Sequence, residues 1–172
     1  MALLEVRNLV KHFPVRGGIL NGVVGRVHAV NGVSFDLEKG EILGVVGESG
    51  CGKSTLGKMV MRLIEPTAGT IRYAGEEITG VGHTELVPLR RKIQIIFQDP
   101  YSSLNPRLTV GQTLREGIRL HGIVEGDDVA AETERYIGEL LSTVGLPREA
   151  AGKYPHEFSG GQRQRIGIAR AL

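Results

Sequence analysis

The alternation and clustering of apolar residues divide this chain into elements. "LLEVRNLVKHF" (3–13) is rich in leucine and valine and predicts a strand, whereas the glycine-punctuated "GGILNGVVG" (17–25) predicts a flexible excursion. "VHAVNGVSFDLEKGEILGVVG" (27–47) predicts a strand, a tight turn at Lys39–Gly40 and a second strand. The "ILGVV" of that second strand is continuously apolar, as in a strand buried on both faces of a sheet. From Ser54 to Ile64, Leu56, Met59, Val60, Leu63 and Ile64 fall at helical spacing, and Pro66 stops the helix. "TAGTIRYAGEEI" returns as short strands with turns, and "RKIQIIFQ" (91–98) predicts another buried strand. Helices follow over 110–121 and 127–144, the second capped by Asp127 and ended at Gly145. No internal repeat or low-complexity tract interrupts this order.

The predicted architecture is α/β, with a mixed-sheet core over 1–98, a helical subdomain over 99–158, and a last helix, 159–172, leading back toward the core. Hydrophobic content of 41% over 172 residues suits one compact domain. A net charge of +2 is too small to suggest a nucleic-acid partner. The single cysteine, Cys51, excludes an internal disulfide and fits a reduced, cytosolic setting. The N-terminal stretch carries charges through its apolar part, unlike a signal peptide, and no uncharged run nears the roughly 20 residues of a spanning helix. Any membrane connection is therefore expected through a partner.

"GESGCGKST", Gly47 to Thr55, matches the phosphate-loop pattern G-x-x-x-x-G-K-[ST], with a buried-strand pattern before it and an amphipathic helix after it. Gly47, Gly50 and Gly52 let the backbone curl so that successive N–H groups, with Glu48, Ser49 and Cys51 between them, point at phosphate oxygens. The helix beginning near Lys53 adds its N-terminal dipole. In such loops the lysine (Lys53) reaches the β- and γ-phosphates and the next hydroxyl (Ser54) ligates Mg²⁺, with Thr55 at a further phosphate. The alternative is a glycine-rich turn without a ligand. Cys51 fills a free position, and no histidine is placed to make it a nucleophile. A nucleoside triphosphate with Mg²⁺ is the expected ligand.

At the other end, "FSGGQRQRIGIARAL" opens a helix at Ser159, with Gln162 three residues on as a capping box and Ile166, Ala169 and Leu172 as its apolar positions. Capping alone accounts for Ser159 and Gln162. It does not account for Gly160 and Gly161 at the first helical positions, where each weakens a helix by about 1 kcal/mol. Bare glycines there expose the helix N–H groups to something anionic, so a second phosphate-binding surface is expected.

"SGGQRQRIGIARAL" resembles the signature motif of ATP-binding cassette (ABC) proteins, "GESGCGKST" their Walker A loop, and "IIFQDPYSSLNPR" (95–107) their Q-loop. The tail of that last segment is similar to the oligopeptide, dipeptide and nickel importer branch. The resemblance covers the whole chain and identifies it as similar to the ATP-binding subunit of such an importer, with an ABC-type P-loop NTPase fold. It implies that Ser159, Gly160, Gly161 and Gln162 contact, in trans, the ATP held by a second nucleotide-binding subunit paired head to tail. Gln98 then senses Mg²⁺ and the attacking water, Phe13 is the candidate for stacking on adenine, and Tyr101, Ser102 and Leu104 receive a coupling helix from integral membrane permease subunits. A core phenylalanine and a surface glutamine are the plain alternatives for Phe13 and Gln98. His83, His121 and His156 show no metal-ligand spacing and are assigned nothing.

The resemblance further implies a place at the cytoplasmic face of the membrane, an extracytoplasmic solute-binding protein as an indirect partner, and no nucleic acid. In the family a strand carrying an Asp for Mg²⁺ and a Glu as general base follows the signature helix, so a fragment with slow or absent hydrolysis is the expectation. A soluble ABC-type ATPase and a non-hydrolysing nucleotide-binding regulatory module stand as alternatives.

Overall fold

The computed structural model describes residues 2–17, 22–82, 84–99 and 103–172. These form two compact units, 1–90 and 91–172, each built on its own core.

The first unit rests on a long antiparallel hairpin, β1 (Leu4–Gly17) and β2 (Gly22–Leu37). β1 also pairs with β3 (Ala68–Tyr73), and β3 with the short β4 (Glu76–Glu77), giving the order β2-β1-β3-β4. Val6 illustrates the register: it stands opposite Phe35 on one side and Ile71 on the other. Val6, Leu9 and Ile71 are fully buried and meet Leu56 and Met59 of α1 (Lys53–Val60). Burying each such side chain contributes about 1.5–3 kcal/mol, so the strands and the helix that follows the phosphate loop hold each other in place. The excursion expected over 17–25 is replaced from Gly22 by strand, because residues 22–25 pair with 15–17 across the hairpin.

α1 ends earlier than its apolar spacing predicts. Arg62 adopts a left-handed backbone (φ 52°), which breaks the helix and buries its guanidinium. There it donates to the carbonyls of Ile78 (2.8 Å) and Val81 (3.3 Å) and pairs with Glu65. Leu63, predicted as an inner position, is consequently exposed.

Two predicted buried strands are absent from the described structure. Residues 41–48 and 93–99 have irregular backbone, and Ile42 and Val46 are each 95% exposed. Residues 87–92 form instead the short helix α2 (Val87–Lys92). A strand exists only as one side of a hydrogen-bonded ladder, and no described segment offers a ladder to either run.

The second unit is helical. α3 (Val110–His121) opens on a capping box between Thr109 and Gln112 and closes on Gly122 in the left-handed region. α4 (Val129–Thr143) is capped by Asp128 rather than Asp127: the Asp128 carboxylate accepts from Ala131 N. Two single-turn helices, Arg148–Gly152 and Pro155–Glu157, lead to α5 (Gly160–Ala171). Ile118, Ile137, Leu141, Phe158, Ile166 and Ala169 share the core, as 3.6-residue spacing requires. Leu172, expected on the apolar face of α5, is exposed.

Candidate functional site

The phosphate loop lies in the first unit, against the hairpin. A Cβ at Gly52 would stand 2.0 Å from the carbonyl oxygen of Ala29 on β2, and Gly52 itself has φ 97°, so no other residue fits there. Gly50, with φ 84°, makes the second left-handed turn. At Gly47 a Cβ would fall 2.7 Å from Cys51 Sγ, so the cysteine side chain fills the space that glycine leaves. The loop is closed by Cys51 N donating to Glu48 O at 3.3 Å. Cys51 is exposed, as are Glu48 and Ser49.

Gly52 is the N-cap of α1 and gives it no side-chain cap, so its leading N–H groups have no capping acceptor from the cap residue. Lys53 reaches back over the loop: its Nζ donates to Gly47 O (2.7 Å) and Glu48 O (2.6 Å) and stands 3.5 Å from Cys51 Sγ. These two carbonyls hold the ammonium against the loop. Ser54 is exposed at the second residue of α1, and Thr55 is half-buried behind it.

Phe13 stands on β1 opposite Val27, and its ring is 37% exposed. Lys11 Nζ lies over that ring, 5.1 Å from its centroid. Next to Phe13, His12 opposes His28 across the hairpin with ring centroids 3.9 Å apart. His12 Nε2 is buried without a hydrogen-bond partner; burial first, then His28 and Arg26, hold its pKa below the ordinary histidine value. Sequence reasoning missed Lys11, the histidine pair and Arg62. Their roles arise from cross-strand register and a left-handed turn, for which no local pattern exists.

The glycines of the second unit stand in different surroundings. Ser159 caps α5: its Oγ accepts from Gln162 N (3.3 Å), and Gln162 Oε1 accepts from Ser159 N (3.0 Å). Because the Ser159 oxygen serves the cap as an acceptor, its hydroxyl proton is free to be donated outward. Gly160 and Gly161 are exposed, have ordinary helical backbone, and a Cβ on either would meet no atom within 4 Å. Nothing within the unit therefore requires glycine at these two positions. Behind them Arg163 is buried and donates from Nε to Pro155 O at 2.7 Å, which anchors the first turn of the helix.

Gln98 is exposed on irregular backbone rather than at the end of a strand. Leu104 is buried in the helical core, which removes it from any docking surface, and Tyr101, Ser102 and His83 lie outside the described residues. His156 stacks on Tyr154 at 5.8 Å. Among the described residues no three His, Cys, Asp or Glu side chains gather as a metal site, and no helix is long and apolar enough to cross a membrane. Ser54 and Gln98 are each exposed and each carries an oxygen of the hard type that Mg²⁺ takes.

The sequence is 55% identical over 170 residues to the "Glutathione import ATP-binding protein GsiA" of Escherichia coli (strain K12), and 54% identical to that of Salmonella typhimurium (strain LT2). In both cases the match covers 99% of this chain, which spans 27% of the relative's length. The fold superposes on the ATP-binding cassette MJ0796, solved as a dimer in a post-hydrolysis state bound to ADP and Pi, with a TM-score of 0.84 at 28% identity. That alignment covers 98% of this chain and 68% of the other. The cbiO1 structure from Clostridium perfringens, at 24% identity and a TM-score of 0.72 over 99% of this chain and 61% of that one, shares the fold. A sequence model described as ABC transporter matches residues 30–172, and with the phosphate loop and the glycine-led helix in place this chain belongs to the ABC transporter family, whose cassette binds nucleotide.

Proposed function

We propose that this chain supplies the ATP-binding core and the signature helix of the ATP-hydrolysing subunit of a peptide-type ABC importer. One observation carries the reading. The two glycine-led helix N-termini are built for opposite purposes, one curled around an internal cradle and the other bare toward solvent. In the cradle, the backbone of residues 47–52 and Lys53 hold the β- and γ-phosphates, and Thr55 supports them. Ser54 would ligate Mg²⁺, which would neutralise phosphate charge, and Gln98 keeps the metal- and water-sensing role that the Q-loop resemblance gives it. Phe13 stacks on the base.

At the bare N-terminus, Ser159, Gly160 and Gly161 donate to the γ-phosphate of ATP bound by a second nucleotide-binding subunit in a head-to-tail pair, with Gln162 beside them. That the related cassette MJ0796 is solved as a dimer with ADP and Pi supports pairing of two such subunits. Residues 1–98, 99–158 and 159–172 then serve as nucleotide core, helical subdomain and trans contact. The GsiA relatives support a peptide-like solute. By the family resemblance the subunit works at the cytoplasmic face of the membrane, through permease subunits that are fed by an extracytoplasmic solute-binding protein.

Two measurements test the proposal. Calorimetric titration with Mg-ATP is expected to show saturable binding that Lys53→Ala weakens more than tenfold. Light scattering of the same protein is expected to show association with ATP that Gly161→Asp abolishes while binding persists. Equal ATP affinity in Lys53→Ala, or undiminished association in Gly161→Asp, refutes the assignment.

A further inference from the structure

We propose that Lys11 is a positioning residue for the base of the bound nucleotide, acting through Phe13. The inference rests on the nucleotide reading above and adds to it a residue outside the phosphate loop and the signature helix. Lys11 and Phe13 are two apart on β1, and two-residue spacing puts them on one side of a strand. The ammonium lies 5.1 Å from the centre of the Phe13 ring, within the range at which a cation is attracted to an aromatic face. A long lysine at the surface ordinarily wanders. This one is held, because its Nζ also donates to the carbonyl of Glu65 at 2.6 Å.

Glu65 follows the end of α1, the helix whose N-terminus bears the phosphate loop. Arg62, buried beneath, pairs with Glu65 and donates to Ile78 and Val81, so the carbonyl that holds Lys11 belongs to an anchored turn. The turn that follows the helix behind the phosphate loop thus holds the cation set over the aromatic. Phe13 is still 37% exposed with Lys11 beside it, so ring surface that the lysine does not cover is left for a neutral purine to stack on. The ammonium fixes the plane of the ring and the side from which the base arrives. It does not touch the nucleotide.

The test uses calorimetric titration of the whole chain with Mg-ATP and, separately, with Mg-tripolyphosphate, which has phosphates and no base. Lys11→Gln keeps a donor for the Glu65 carbonyl and loses the charge. It is expected to weaken ATP about threefold, a cation–π contribution at a partly exposed site, and to leave tripolyphosphate unchanged. Lys11→Arg is expected to restore ATP affinity. In a Phe13→Leu background, Lys11→Gln is expected to have no further effect. Loss of both ligands alike, or a full Lys11 effect without Phe13, overturns the inference while leaving nucleotide binding intact. Failure of the unaltered chain to bind ATP overturns the nucleotide reading, and this inference with it. Should Lys11→Gln fail to fold, the ATP-to-tripolyphosphate affinity ratio of Lys11→Arg and Phe13→Leu decides: equal ratios in the unaltered chain and Phe13→Leu sink it.

Discussion

The two helices that open on glycine, α1 and α5, use the same residue for different physical ends. At α1 the glycines answer to the chain's own structure: left-handed backbone at Gly50 and Gly52, and no room for a side chain against Ala29 O. The helix has no side-chain cap, and a lysine folds over its entrance. At α5 a capping box between Ser159 and Gln162 satisfies the amides of those two residues, the glycine backbone is ordinary, and the space around both glycines is open. A residue that internal packing requires can be explained from inside the molecule. One that packing does not require, and that costs helix stability, points to something arriving from outside.

Substitutions that add one methyl group break this contrast most sharply. Gly52→Ala forces a Cβ into the Ala29 carbonyl and a strained φ, so we expect loss of measurable ATP binding and a clear fall in the thermal midpoint of the first unit. Gly161→Ala adds a methyl into open space at a helical position, and such a change stabilises a helix by up to about 1 kcal/mol. Its thermal midpoint should therefore hold or rise, while ATP-dependent association weakens. If both alanine variants behave alike in thermal unfolding, the contrast between an internal and an external role is wrong.

Ser159→Ala sharpens the comparison from the other side. It removes the cap acceptor for Gln162 N and should cost about 1 kcal/mol of helix stability, measured by denaturant unfolding followed on the helical signal. No corresponding cap exists to be lost at α1. The smallest expected effect belongs to the hairpin against which the phosphate loop packs. Burial, His28 and Arg26 lower the His12 pKa in the folded chain, so the folded state disfavours the charged ring that the unfolded state accepts. The stability from a neutral His12 is present above the ordinary histidine value of about 6.5 and declines as pH falls below it. Thermal midpoints between neutral and mildly acidic pH should fall more for the unaltered chain than for His12→Gln, and parallel curves would remove His12 from the account.

Local patterns were legible wherever an element is complete in itself. The helix over 110–121 is present over those residues, and the box at Ser159 and Gln162 closes as its spacing predicts. Asp128 displaced Asp127 as a cap by one position, a choice set by which carboxylate reaches the Ala131 amide. The runs 42–46 and 91–98 misled because continuous apolarity states that a segment is to be buried, not what will bury it. Without a neighbouring ladder among the described residues 42–46 and 93–98 remain irregular, Gln98 with them, and residues 91–92 close a short helix. Arg62 was invisible for a related reason: a charged residue becomes a buried anchor only where distant carbonyls converge on it, here those of Ile78 and Val81.

By itself the sequence determined the phosphate-loop motif, the glycine-led capped helix and the helices near 110–121 and 127–144, because each depends on residues within a turn or two of one another. The tertiary structure alone decided which glycines the chain needs for itself, where α1 ends, and that Lys11 stands over Phe13 with His12 against His28. Those outcomes depend on strand register and on backbone from elsewhere in the chain, and no local spacing encodes either.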